Sequence, residues 1–305
     1  MPPESRPPHA QTPFATGIHL LITLFVAASY IPQLIDIGAN DRTGNAAISG
    51  WYIILLTTSA TAHLATRIKN LQSSQAWHSV RHGNLKGFDA FSSLVVFLQA
   101  FIHWAAAIIL LVFYVSFRTR TPSRNNDDES IISSPPSAVT ILAVVLVHAV
   151  IVLPFAVYFL HLLTKDPEDL PDSVVFVVSS AYGLLLRITG TLTSLTAAVP
   201  QVYLMVTRYR NSGNQFNQGS LSLLGLGLQV VAFLALAGSQ GWRMRILPPP
   251  PDAPSYWQLY TTGEWWYAFF VISGYAVGWA TLAFSQLLVL CVALGLGSRA
   301  GALYI

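Results

Sequence analysis

The sequence predicts an all-α integral membrane protein: seven transmembrane helices in a 3+1+3 arrangement, with two parallel three-helix repeats joined by a single span. Three observations lead there. Charge is scarce, with Asp, Glu, Lys and Arg making up 10% of the 305 residues, against roughly 25% in a soluble domain. The apolar residues, 53% of the chain, fall in long blocks. The dipeptide Pro-Gln occurs near the end of two of those blocks, at Pro32-Gln33 and at Pro200-Gln201.

A helix crossing a bilayer needs about 20 mostly apolar residues. Seven blocks satisfy this, over 16–37, 46–66, 90–116, 137–163, 181–207, 219–239 and 264–296. They are apolar on every side and do not alternate with period two, which excludes a transmembrane β-barrel. The last block exceeds one crossing, as does 174–207, and tilt or a kink absorbs such extra length. Gly274 and Gly278 form a GxxxG, a spacing that lets helices approach closely. Trp51, Trp77, Trp257, Trp265 and Trp266 lie near predicted span ends, where the headgroup region suits an indole. Trp104 and Trp279 lie deeper and read as lipid-facing or core aromatics.

The chain divides accordingly. Residues 1–15, polar and proline-rich without a basic start or a small-residue cleavage pattern, form a disordered tail. A first repeat over 16–116 precedes a polar, disordered loop at 117–136. The linking span 137–163, a second repeat over 174–296 and a short tail at 297–305 complete it. Within the second repeat, 240–263 carries four consecutive prolines, a stiff spacer between two spans.

The net charge is +3, and the basic residues are scattered through the loops rather than massed on one face, so nucleic acid is not an expected partner. With seven spans they divide eight against seven between the two sides, which leaves orientation open. One cysteine, Cys291, precludes an intrachain disulfide. No Cys/His metal spacing, paired carboxylates, Gly-rich phosphate loop, HExxH or GxSxG occurs. The sequence therefore predicts no cofactor, no metal and no enzymatic activity.

The two Pro-Gln segments share more than the dipeptide. "SYIPQLIDIGANDRTGNAAISGWYIILL" and "AAVPQVYLMVTRYRNSGNQFNQGSLSLLGLGL" each run from an apolar helix through Pro-Gln and a polar, Gly-containing turn to a Ser and a second apolar helix. The serines are Ser49 and Ser222, the glycines Gly44 and Gly219. Proline lacks an N–H, and its ring clashes with the carbonyl four residues back. Lipid supplies no substitute partner. A following glutamine can offer an amide to the exposed backbone, so each Pro-Gln reads as a hinge. Matched proline-interrupted spans in two halves point to a transport site.

These features resemble the PQ-loop repeat proteins, a family that includes cystinosin-like amino-acid exporters and is related in fold to the SWEET sugar transporters and the KDEL receptors. The resemblance covers both repeats. It implies hinge roles for Pro32, Gln33, Pro200 and Gln201 on the cytosolic side, and a vacuolar, lysosomal or other endomembrane location. It also places "DDESII" in the cytosol, where Ile131-Ile132 is similar to an acidic dileucine sorting signal. The sequence departs from cystinosin-like members in one respect: no carboxylate falls in mid-span. Asp36 lies just past the first Pro-Gln, and Asp89 and Glu264 begin spans.

Intramembrane polar groups are the remaining candidates, because burying them is costly. Arg187 lies about 20 Å along a helix from Pro200, near the opposite face. There it can bind a substrate carboxylate or snorkel to headgroups. His63, His103 and His148 can relay protons or pack as neutral rings. Gln229, with Gln99 and Gln286, supplies polar surface for a pore. The expectation is a small-solute transporter, for amino acids or similar polar solutes, with or without protons, working by alternating access in contact with the lipid bilayer. A non-transporting seven-helix receptor or scaffold on the same fold is the alternative.

Overall fold

The computed structural model describes residues 13–40, 48–72, 87–118, 146, 148, 150, 173–212, 221–246 and 274–299. Seven helical segments account for almost all of them: α1 (Pro13–Ser29), α2 (Ile31–Asn40), α3 (Gly50–Gln72), α4 (Gly87–Arg118), α5 (Ser173–Asn211), α6 (Leu223–Ile246) and α7 (Gly274–Arg299). No strand occurs among the described residues. Because α1 and α2 are two pieces of one rod, the described chain holds six rods. The expected span at 137–163 lies outside the described residues apart from Leu146, His148 and Val150, which are helical. The tails, the loop at 117–136 with Ile131-Ile132, and the proline run also lie outside.

Four stretches are long and apolar enough to cross a membrane: Pro13–Ala39, Leu94–Ser116, Leu223–Gln240 and Ala276–Arg299. They mark an integral membrane protein. Helices α3 and α5 are not among the four. The reason is visible in α3, which buries Thr57, Ser59, Thr61, His63 and Thr66. Polar residues inside the bundle lower a helix's mean hydropathy without exposing anything polar to lipid.

Helix α1 displays the same partition on two faces. Phe14, Ile18, Leu21 and Leu24 are exposed, whereas Thr16, His19, Thr23 and Val26 are buried. That is a helical stripe with the polar side inward, the reverse of a water-soluble helix. Many hydroxyls in the helices bond to a carbonyl on the preceding turn. Thr23 donates to the His19 carbonyl at 2.7 Å, Thr57 to Ile53 at 2.7 Å, and Thr66 to Ala62 at 2.7 Å.

The rods close into a ring. The α1/α2 rod packs on α4 and α6, α3 packs on α4 and α5, and α7 packs on α5 and α6. Paired residues give the directions. Ser49 meets Gln201 and Ser59 meets Ser194, so α3 and α5 are antiparallel. His19 meets Gln99 and Tyr30 meets His103, so α1 and α4 are parallel. Gly225 approaches Gln33 while Gln240 meets Gln99 beside His19, so α6 runs against both. Both Pro-Gln pairs consequently lie at the same end of the bundle.

The core runs down the centre of the ring and includes Tyr30, Leu56, Leu110, Phe233, Leu236 and Leu282, all nearly inaccessible. Leu234, next to Phe233, is 53% exposed on the outer surface. Truncating Phe233 to Ala is expected to lower stability by roughly 2 kcal/mol through the cavity it leaves. Leu234→Ala should cost much less. Thermal unfolding of the two variants in the same detergent measures the difference.

Candidate functional site

The two Pro-Gln pairs differ in their effect on the helix. At the first, the rod breaks at Tyr30. The Tyr30 N–H turns back to the Ala27 carbonyl at 3.3 Å, and Ser29 Oγ donates to Val26 at 2.7 Å. Pro32 then falls in the first turn of α2, where its missing N–H has no helical partner to lose. At the second, Pro200 sits inside an unbroken α5. The apolar helices do not end at Pro-Gln as the sequence suggested. The first rod continues to Asn40 and α5 to Asn211.

Each Pro-Gln meets the start of a helix far from it in sequence, Gln201 that of α3 and Gln33 that of α6. Gln201, fully buried, accepts a 2.8 Å hydrogen bond from the Ser49 N–H at the start of α3. The N–H groups of a helix's first turn have no partner within the helix, so a side-chain oxygen there acts as a cap. At the equivalent place in α6, Ser222 caps its own helix, its Oγ accepting from the Gly225 N–H at 3.1 Å. Gln33 lies against that turn. A Cβ added to Gly225 would come within 3.3 Å of the Gln33 backbone nitrogen. Glycine at 225 is therefore what allows α2 and the start of α6 to touch.

Below the Pro-Gln end, five rods converge on an aromatic layer. Trp279 of α7 stacks on His63 of α3, with ring centroids 5.7 Å apart and planes 17° from parallel. It also stacks on Phe233 of α6, at 5.9 Å and 19°. His103 of α4 meets both Trp279 and Phe233 edge to face, at 5.1 and 5.2 Å. The Tyr30 hydroxyl pairs with His103 Nδ1 at 3.0 Å. The remaining imidazole nitrogens, Nε2 of His63 and of His103, are buried without a hydrogen-bond partner among the described residues.

Gly278 makes room for His63, and Gly190 lies against the ring's other side at ordinary contact distance. A Cβ at Gly278 of α7 would lie closer to His63 Cε1 than any real contact allows, and one at Gly190 of α5 would lie 3.5 Å from the same atom. The GxxxG glycine at 278 thus serves an imidazole rather than a bare helix crossing. A third polar group lies on the far side of the layer. There Gln99 donates to the His19 carbonyl at 3.2 Å and accepts from Gln240 at 3.3 Å, which ties α1, α4 and α6 together.

Of the expected residues, His63 and His103 are brought together across Trp279. Gln229 is buried one turn from Phe233, its Oε1 unpartnered among the described residues. Asp36 is half-buried in α2, beyond the Pro-Gln pair and away from the layer. Arg187 is half-buried in α5, one turn before Gly190 and on the side of the layer away from Gln201. His148 is half-buried and helical, in a stretch of which only Leu146, His148 and Val150 are described. Sequence reasoning missed Tyr30, His19, Gln240 and Phe233. His19 carried a usable signal, a histidine inside the first apolar block. Among the described residues no group of three or more His, Cys, Asp or Glu is arranged to hold a metal. Comparison with protein-family models, curated proteins and solved structures finds no match.

Replacing Gln201 by Leu should destabilise the protein by about 1–3 kcal/mol, since the Ser49 N–H is then buried without an acceptor. Glu at 201 retains an acceptor oxygen and should recover part of the loss in thermal unfolding. Gly278→Ala should also lower the melting temperature. Combining it with His63→Ala should recover most of that loss, giving a non-additive double-mutant cycle.

Proposed function

We propose that the protein is a small-solute transporter of an endomembrane, working by alternating access. Its two three-helix units are α1/α2–α3–α4 and α5–α6–α7, with the fourth span between them. One observation carries the reading. Exchanging the units, so that the α1/α2 rod takes the place of α5, α3 of α6 and α4 of α7, leaves every neighbour relation around the ring unchanged. An arrangement of two equivalent parallel units about an axis along the membrane normal is the architecture in which one unit rocks against the other. Both prolines lie at one end of that axis, where bending at Pro32 and Pro200 would open the seam between units. The solute expected from the sequence resemblance is an amino acid or a similar small polar molecule, and it would pass between the units at the level of Trp279.

The receptor or scaffold reading has its own support. The interface between the units is closed by Tyr30, Phe233 and Trp279, each at most 3% exposed. A permanently filled interface suits a protein that signals or scaffolds rather than transports.

Reconstitution in liposomes separates the two. Uptake of labelled amino acids or sugars, screened with and without a pH gradient, is the expected result. The double variant Pro32→Ala, Pro200→Ala should slow it roughly tenfold, equivalent to about 1.4 kcal/mol on the slowest step. Absence of flux for every solute tested would favour the receptor reading. Undiminished flux in the double variant would remove the hinges from the mechanism.

A further inference from the structure

The best-built polar site in the membrane interior is the seat of His63. Its imidazole is held on three sides by elements of the other unit: the Gly190 surface of α5, the Gly278 surface of α7 and the face of Trp279. Any side chain larger than hydrogen at 278 would collide with the ring. The bare backbone of Gly278 and a parallel indole make this a socket for a flat ring, and yet the ring's Nε2 has no partner among the described residues. Leaving a polar atom unsatisfied in a hydrocarbon environment is costly, so such an atom at the seam between two moving units marks a functional group.

We propose that His63 is a proton-binding site whose protonation breaks the packing of α3 against α5 and α7; its place in a transport cycle rests on the reading above. Among the described residues the packed arrangement accommodates the neutral ring and gives its Nε2 no hydrogen-bond acceptor for an added proton. The carbonyl on the nearest packed surface, Gly190, already accepts from Ser59 at 3.0 Å, Ser194 at 2.6 Å and Thr193 at 3.2 Å. The indole face attracts a cation but offers no acceptor atom.

The charged and titratable neighbours add to the opposition. On α3 itself Arg67 lies one turn further along the same face. On α5 Arg187 lies one turn before Gly190, with Tyr182 beyond it. His103 of α4 and Tyr30 of the first rod lie on the other side of Trp279, and Tyr52 of α3 bonds Gln286 of α7 nearer the Pro-Gln end. Helices α3, α5, α6 and α7 contain no Asp or Glu. A protonated His63 therefore has no carboxylate on its own helix or on the two that hold it. Its proton must be matched by an acceptor from outside the core, either water or an acceptor group on the solute. Reaching one requires the ring to leave its socket, and α3 leaves with it.

Trp279 reports the event. Full-length protein in lipid nanodiscs is titrated from neutral to acid pH across the histidine range, near pH 6.5 for a free imidazole. The emission of Trp279 is taken as the difference between the wild type and Trp279→Phe. It is expected to move to longer wavelength in acid as the indole is uncovered and hydrated. His63→Gln should abolish the shift, and His103→Gln should retain it. Gly278→Ala, which displaces the ring without removing it, should show the shifted emission already at neutral pH. The proposal is overturned if the wild type shows no shift, if His63→Gln shifts as the wild type does, or if Gly278→Ala behaves as the wild type at every pH. Proteoliposome uptake driven by a pH gradient is measured in parallel. A His63-dependent shift without uptake of any solute would uphold the proton site and reject transport. Uptake without the shift would do the reverse.

Discussion

The bundle depends on one constraint: hydrocarbon offers no hydrogen-bond partner, so every polar group in a span must turn inward or bond within its own helix. Helix α1 obeys it on a single stripe, with Thr16, His19 and Thr23 inside and Phe14, Leu21 and Leu24 outside. Helix α3 obeys it more completely, since nearly every residue from Gly50 to Thr66 is covered by its neighbours. Apolar residues are left for the lipid-facing surface, and the interior collects glutamines, histidines and hydroxyls. These polar groups then fix which helix sits beside which, because each needs its own partner. Van der Waals packing alone discriminates poorly between apolar helices in a solvent as apolar as they are.

The most specific of those partnerships join helices far apart in sequence. Gln201 completes the start of α3, and Gln33 lies on the start of α6. The start of α3 is therefore completed from α5, whereas the start of α6 is capped by its own Ser222 and only packed upon by α2. The arrangement resembles a capping box in which the reaching side chain comes from a different helix. It also means that movement at Pro32 is felt directly at Gly225, and movement at Pro200 at Ser49.

Much of the architecture was legible in the sequence. Charge scarcity and block length marked the spans, and six of the seven fall where helices are described, with ends shifted by a few residues. The start of the last block, 264–273, lies outside the described residues. The Pro-Gln pairs were legible too, but not their partners, because a pattern of Pro-Gln followed by Ser reads identically whether the contact is made within a repeat or across it. The aromatic layer was hidden for a different reason. Tyr30, Phe233 and Trp279 are ordinary residues for an apolar span, and only packing reveals that they meet two histidines. Gly190 gave no warning, and Gly278 stood in a motif frequent in any apolar segment.

The layer divides the interior into two polar ends held by bonds of similar kind. At one end the fastening is a glutamine oxygen on the Ser49 N–H. At the other, Gln99 joins His19 of its own unit to Gln240 of the other. All of these are hydrogen bonds between neutral groups, each contributing only about 1 kcal/mol net. Ion pairs in the same positions would be far harder to open, because each separated charge would be left in a low-dielectric interior. A seam fastened by neutral amides at both ends can release one end while keeping the other, with a small difference in energy between the two arrangements. On the transport reading proposed above, the balance would rest with the layer between them, where displacing the His63 imidazole would remove the contact that Trp279 makes with α3.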